Sequence, residues 1–312
     1  MTTFFISLIA VAVLLVTAVP GFIFIKKKIV DEGFIKGLAL ILFYVCNPCL
    51  ALYTFASAEF SKEKLINLGI FALLCTLVQI IILGAAYLVL RRKYENPLAR
   101  IMTIATTFAN SAFFGIPIIE ALLPEIAANV IIYTTVYTVI MNTIGWTVGC
   151  AIISGDAKFI SAKKIFLNPA MVGLVIAMPV FLFNIEIQAN FLSMITICAR
   201  MSSPLSMLVL GMRLATAERI RSLFLDVRLY LAIAVKQVVM PLVAFGILYF
   251  LPVAYEIKAV LFIICACPVA AVVLNFSELV GKCQREAANA VVLGTMLSIV
   301  TLPIVTLLLP LL

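Results

Sequence analysis

Histidine is absent from this 312-residue chain. That alone excludes the HExxH zinc site and every catalytic triad that relies on an imidazole base. Charge is scarce too: Asp, Glu, Lys and Arg make up 12% of the residues against 65% hydrophobic ones, and the mean hydropathy is +1.25. A chain of this size has too little polar surface to cover a water-soluble globule, so it must be solvated by lipid. Acidic residues are the rarer charge, 14 against 22 Lys and Arg, and none stands deep inside an apolar run. Glu120 falls toward the outer end of its run and Glu278 toward the inner end of its own. Without paired deep carboxylates, an intramembrane enzyme has no acid–base or metal chemistry to draw on.

The net charge of +8 does not point to nucleic acid, because the Lys and Arg residues sit in short loops with neither aromatic interleaving nor a basic domain. Cysteine is present eight times, but Cys46, Cys75, Cys150, Cys198, Cys265 and Cys267 lie inside apolar runs, with Cys49 three residues from Cys46. They read as small apolar residues in packed helices. The C-x-C pair Cys265 and Cys267 has no other soft ligand near it in sequence, so no metal or cofactor is expected. The first apolar run, Phe4 to Ile25, lacks a basic n-region and exceeds a signal h-region, which predicts a retained helix.

At 1.5 Å per residue, a membrane span needs about 20 apolar residues. Ten runs qualify: 4–25, 35–56, 65–90, 99–123, 127–153, 166–184, 190–213, 228–251, 257–280 and 286–310. The loops after odd-numbered runs, with Arg100 opening the fourth, carry seventeen Lys and Arg, among them Lys36, Arg91, Lys158, Lys163, Lys164, Arg213, Arg219, Arg221 and Lys282. The other side has three: Lys62, Lys64 and Lys258. By the positive-inside rule this predicts an integral protein of the plasma (inner) membrane with both termini outside the cytoplasm.

The phrase Ala127-Ala128-Asn129-Val130-Ile131-Ile132 returns as Ala287-Ala288-Asn289-Ala290-Val291-Val292. Asn47-Pro48 aligns with Ser203-Pro204, and Pro20 with Pro179. The chain therefore divides into a five-helix repeat over residues 1–153, a short cytoplasmic linker over 154–165, and a second repeat over 166–312. Five is odd, so the second copy is inverted, an arrangement typical of secondary transporters. The expected fold is all-α and polytopic, with ten transmembrane helices in two inverted repeats.

Two runs are interrupted in mid-membrane. The fourth contains Asn110, Ser111, Gly115 and Pro117, and the ninth contains Pro268. Pro removes a donor and Gly eases irregular backbone, and the freed polar groups persist in hydrocarbon only where protein, water or ligand satisfies them. Matching breaks in inverted halves predict broken helices that cross and aim half-helix ends at a substrate. Asn110, with a donor and an acceptor, is the leading contact. Asn47, Gln79, Tyr137 and Asn142 are further polar groups at mid-depth. Arg200 and Lys236 are deep cations with no carboxylate at comparable depth, which favours an anionic substrate. Two alternatives stay open: Lys236 snorkels to the cytoplasmic face, or Arg200 caps carbonyls freed by Pro204.

The stretch Asn110-Ser111-Ala112-Phe113-Phe114-Gly115-Ile116-Pro117-Ile118-Ile119 resembles the Asn-Thr-Leu-Val-Met-Gly-Ile-Pro-Leu-Leu motif of the auxin efflux carrier family. Ala266-Cys267-Pro268-Val269 is similar to that family's Ala-Leu-Pro-Gln crossover, and Val136-Tyr137-Thr138 to its Trp-Tyr-Thr. The resemblance covers essentially the whole chain. It implies a scaffold domain, a transport domain with crossed fourth and ninth helices, a substrate contact at Asn110 and a pocket-lining role for Tyr137. Departures are Ala109 in place of Pro, Cys75 and Gln79 in place of Asp and Lys, and the short linker, which together imply a compact prokaryotic-type member.

The resulting expectation is a secondary transporter of a small organic anion, a dicarboxylate or an auxin-like acid, working by elevator or rocking motion. Its partners are that anion and the bilayer, with a homodimer left open. One alternative is a sodium-coupled symporter of the bile-acid carrier type, with Na+ near Asn110; another is a receptor that binds the same ligand without moving it.

Overall fold

A computed structural model of the chain describes residues 3–156, 169–216 and 227–312. The proposed linker is therefore described only at 154–156, and Lys158, Lys163, Lys164, Arg219 and Arg221 lie outside the described residues. Among the described residues, all regular structure is helical. Seven helices among the described residues are long and apolar enough to cross a membrane: α1 (Thr3–Lys26), α2 (Gly33–Ala56), α3 (Lys62–Lys93), α6 (Ala127–Ser154), α8 (Ala189–Thr216), α9 (Val227–Phe250) and α12 (Gln284–Leu311).

The other expected spans take a different form. The fourth is divided into α4 (Pro97–Ala105) and α5 (Ser111–Leu122), and the ninth into α10 (Tyr255–Ala266) and α11 (Val272–Val280). The sixth is described as a shorter helix, α7 (Pro169–Leu182). Local sequence explains several of the boundaries. Ser61 caps α3 by accepting from the Lys64 N–H, and Asn96 caps α4 by accepting from the Leu98 N–H, with Pro97 at the first turn. Three of the four described π-helical stretches, Leu42–Cys46, Ser111–Gly115 and Val235–Val239, each end two residues before a proline, Pro48, Pro117 or Pro241; the fourth, Gly145–Gly149, has none after it in α6. A proline has no N–H for the carbonyl four residues back, which disturbs the α-helical ladder at that point.

α1, α2, α7 and α8 pack on one another, and α3 to α6 with α9 to α12 form a second group; α1 also lies against α5 and α12 between the groups. Small residues set the first group's spacing. Gly21 of α1 and Gly211 of α8 face each other's helix backbone, and a Cβ at Gly211 would stand 1.8 Å from the Ala18 carbonyl oxygen. Close approach of this kind supplies packing where lipid removes the hydrophobic drive between helices. The outer faces carry exposed side chains such as Ile9, Val13 and Val16 on α1 and Leu73, Leu77 and Ile80 on α3, an apolar surface fitted to lipid.

Candidate functional site

The two breaks are joined to each other. The Asn110 N–H donates to the Pro268 carbonyl at 2.9 Å and the Ala270 N–H to the Phe108 carbonyl at 2.9 Å, an antiparallel bridge between Ala109 and Val269. Backbone that leaves a helix in hydrocarbon must find partners, and here each break serves the other. Asn110 has φ −75° and ψ 68° with the Ser111 N–H donating to the Ala109 carbonyl at 2.8 Å, an inverse γ-turn. This turn ends the non-helical stretch and starts α5 at Ser111.

Side chains satisfy several of the remaining backbone groups. Pro117 cannot donate to the Phe113 carbonyl, which instead accepts from the Ser203 hydroxyl of α8 at 2.6 Å. The Tyr137 hydroxyl, fully buried, donates to the Thr107 carbonyl at 3.4 Å. Lys236 is also fully buried, and its Nζ donates to the Cys265 carbonyl at 2.8 Å and the Cys267 carbonyl at 2.9 Å, at the end of α10. Those carbonyls lie at the negative end of a helix dipole and suit a cation. Lys236 thus neither snorkels nor faces a cavity; it holds the ninth-run break in shape.

Beside the bridge lies a small cavity of about 30 Å³, lined among others by Asn47, Asn110, Ser111, Thr138 and Asn142. Asn110 and Asn142 are each 5% exposed and Asn47 is half-buried. Among the described residues none of these three carboxamides has a hydrogen-bond partner for its side chain, whereas Ser111 and Thr138 share a hydroxyl contact of 2.8 Å. Carboxamides at this depth are normally paired, so three unpaired ones around one void form a set of donors and acceptors ready for a ligand. The start of α5 at Ser111 is on the wall, and Val272, where α11 begins, is another lining residue.

Two larger cavities flank this point. One of about 610 Å³ shares Phe43, Asn47, Asn142 and Val272 with it and extends to Lys36, Arg213 and Glu278. The other, about 420 Å³, shares Ala112 and contains Tyr53, Glu120, Arg200 and Ser203. The residues singled out by sequence are therefore distributed. Asn47, Asn110, Ser111 and Asn142 come together; Pro268 contributes its carbonyl, and Gly115 and Pro117 shape α5. Arg200 stands apart in the 420 Å³ cavity, whose lining also includes Tyr53. It does not stand in a cationic region free of counter-charge, as the sequence suggested, because Glu120 lines the same cavity. Gln79 is fully buried with neither polar atom partnered. Thr138 and Ser203 are the additions: the first closes the Val136-Tyr137-Thr138 motif, and the second precedes Pro204. Among the described residues, no group of three or more Cys, Asp or Glu side chains could hold a metal ion.

A family model described as membrane transport protein matches residues 6–306, nearly the entire chain. No curated protein matches it.

Proposed function

Since the chain belongs to the membrane transport protein family, the auxin efflux carrier family, and is an integral membrane protein, we propose that it is a secondary transporter of a small organic anion, bound at Asn110 between the two broken helices. In this reading the fold is ten helices in two inverted repeats, with α4–α5 and α10–α11 as the crossed pair. α1, α2, α7 and α8 act as the scaffold, and the other group carries the substrate by an elevator or rocking motion. The basic end of the molecule, with Lys36, Arg100, Arg213 and Lys282, faces the cytoplasm.

The observation that carries the proposal is the convergence of three unpaired carboxamides at the point where the breaks meet. Amide donors and the N-terminal ends of α5 and α11 offer partial positive charge to a carboxylate without a buried counter-ion to strip away. In this reading the flanking cavities supply access from either end, the larger meeting the small central cavity at Asn47 and the other meeting it at Ala112.

The test is uptake of radiolabelled malate, malonate and indole-3-acetate into proteoliposomes. Asn110→Ala should abolish uptake of whichever acid the natural protein carries while leaving expression and unfolding temperature unchanged, and Asn110→Asp should do the same by repelling the anion. Uptake by Asn110→Ala equal to that of the natural protein rejects the site. Saturable binding with no flux above a binding-only control favours a receptor instead.

A further inference from the structure

Glu120 and Glu278 are 158 positions apart, the same spacing that separates Asn110 from Pro268 (278 − 120 and 268 − 110). Each stands ten residues beyond its break, one on α5 and one on α11, and each shares a flanking cavity with an arginine of α8. The two arginines, Arg200 and Arg213, are thirteen residues apart on that helix, or about 20 Å along its axis. The two pairs are in different states. Arg213 donates directly to the Glu278 carboxylate, a closed ion pair. Arg200 and Glu120 line the 420 Å³ cavity together without forming a salt bridge.

We propose that these are two alternating latches of one movement: Arg213–Glu278 holds the conformation seen here, and Arg200–Glu120 closes in its place when the molecule swings to the opposite one. The reason is mechanical. α5 and α11 are tied together by the mid-membrane bridge, whereas both arginines ride on α8, which packs chiefly with α1 and α2 and meets α5 in mid-membrane, between the two arginines, at Ser203. Rocking about the bridge moves the far ends of α5 and α11 in opposite senses relative to α8, so one carboxylate approaches its arginine as the other withdraws. Both carboxylates and both arginines border cavities and are partly exposed, so each pair forms and breaks without stranding a charge in hydrocarbon. Alternation of this kind makes the two end states close in energy, which repeated switching requires. The latches deepen the transporter reading by naming the residues that balance its two conformations, and they rest on it for the purpose of the movement alone.

The chain carries its own reporter. Trp146 is its one tryptophan and lines the 610 Å³ cavity beside Arg213 and Glu278. Acrylamide quenching of the full-length protein in nanodiscs therefore reads how open that end is, with no label and no substrate. Glu278→Gln should shift the population about fivefold toward the swung state and raise the quenching constant about twofold. Arg213→Gln should do the same from the other partner, which covers the case in which one variant does not fold. Glu120→Gln alone should leave the constant at or below that of the natural protein, and Glu120→Gln with Glu278→Gln should bring it back down. A constant that stays raised in the double variant shows a local effect at Glu278 and overturns the proposal, as does an unchanged constant in both single variants of the closed pair. These readings do not depend on transport: the expected quenching pattern in a protein that takes up no carboxylate keeps the latches and rejects the anion transporter.

Discussion

At the scale of single residues, the two breaks illustrate how backbone polarity is managed inside a membrane. A carbonyl orphaned by proline costs about 1–3 kcal/mol if nothing replaces the lost donor. For the Phe113 carbonyl the replacement is the Ser203 hydroxyl, ninety residues away in sequence. Ser203→Ala should therefore destabilise the protein by about 1 kcal/mol, read from its unfolding in detergent. Pro117→Ala restores an N–H four residues after Phe113 and makes Ser203 redundant. In that background, Ser203→Ala should cost close to nothing; equal costs in both backgrounds would mean that Ser203 acts through something other than this carbonyl. Pro117 announces the break in the sequence, but nothing local announces the hydroxyl that repairs it. The same holds for Lys236. Its depth is legible from its position in an apolar run, yet two backbone carbonyls of a later run as its partners have no counterpart in any side-chain pattern.

At the scale of helices, glycine has opposite meanings at different positions. Gly211 and Gly21 let α8 and α1 approach until backbone meets backbone, and a Cβ at Gly21 would stand 2.0 Å from the Leu208 carbonyl oxygen. No side chain is there to yield, so Gly211→Ala must push the helices apart, at about 1–3 kcal/mol. Gly84 of α3 is in open space, and a methyl group added to its Cα would meet nothing within 4 Å. There Gly84→Ala should raise stability by about 0.5–1 kcal/mol, because the glycine only adds freedom to the unfolded chain. Thermal unfolding of the two variants in one detergent tests the contrast, and equal shifts would show that α1 and α8 do not meet through Gly211. Apolar runs and loop spacing made the long helices readable, with ends within a few residues. Which helices touch, and through which glycines, was not, because all fourteen glycines look alike in sequence. Glu278 and Arg213 were likewise each visible near the ends of their runs, and their pairing was not.

At the scale of the whole molecule, the lopsided distribution of charge predicts the chain's orientation. Two basic side chains of the richer side are fixed to a helix end: Arg100 donates to the Ile153 carbonyl at 3.1 Å and Lys282 to the Ser154 carbonyl at 2.8 Å, both at the end of α6. One of these residues comes from each half, so the two halves are fastened together at that end, and the C-terminus of α6 gains two cations that suit its dipole. On the sparse side Lys64 reaches Asn129 at 3.3 Å. Seventeen cations against three make insertion the other way round costly, since loop Lys and Arg resist translocation. A reporter fused after Leu312 reads the outcome in a bacterial host. Alkaline phosphatase, which matures only outside the cytoplasm, should be active there, and green fluorescent protein, which matures only inside, should stay dark. Bright fluorescence with inactive phosphatase would invert the topology. It would place the Arg213–Glu278 end outside, and the 420 Å³ cavity, rather than the 610 Å³ one, would become the cytoplasmic route to Asn110.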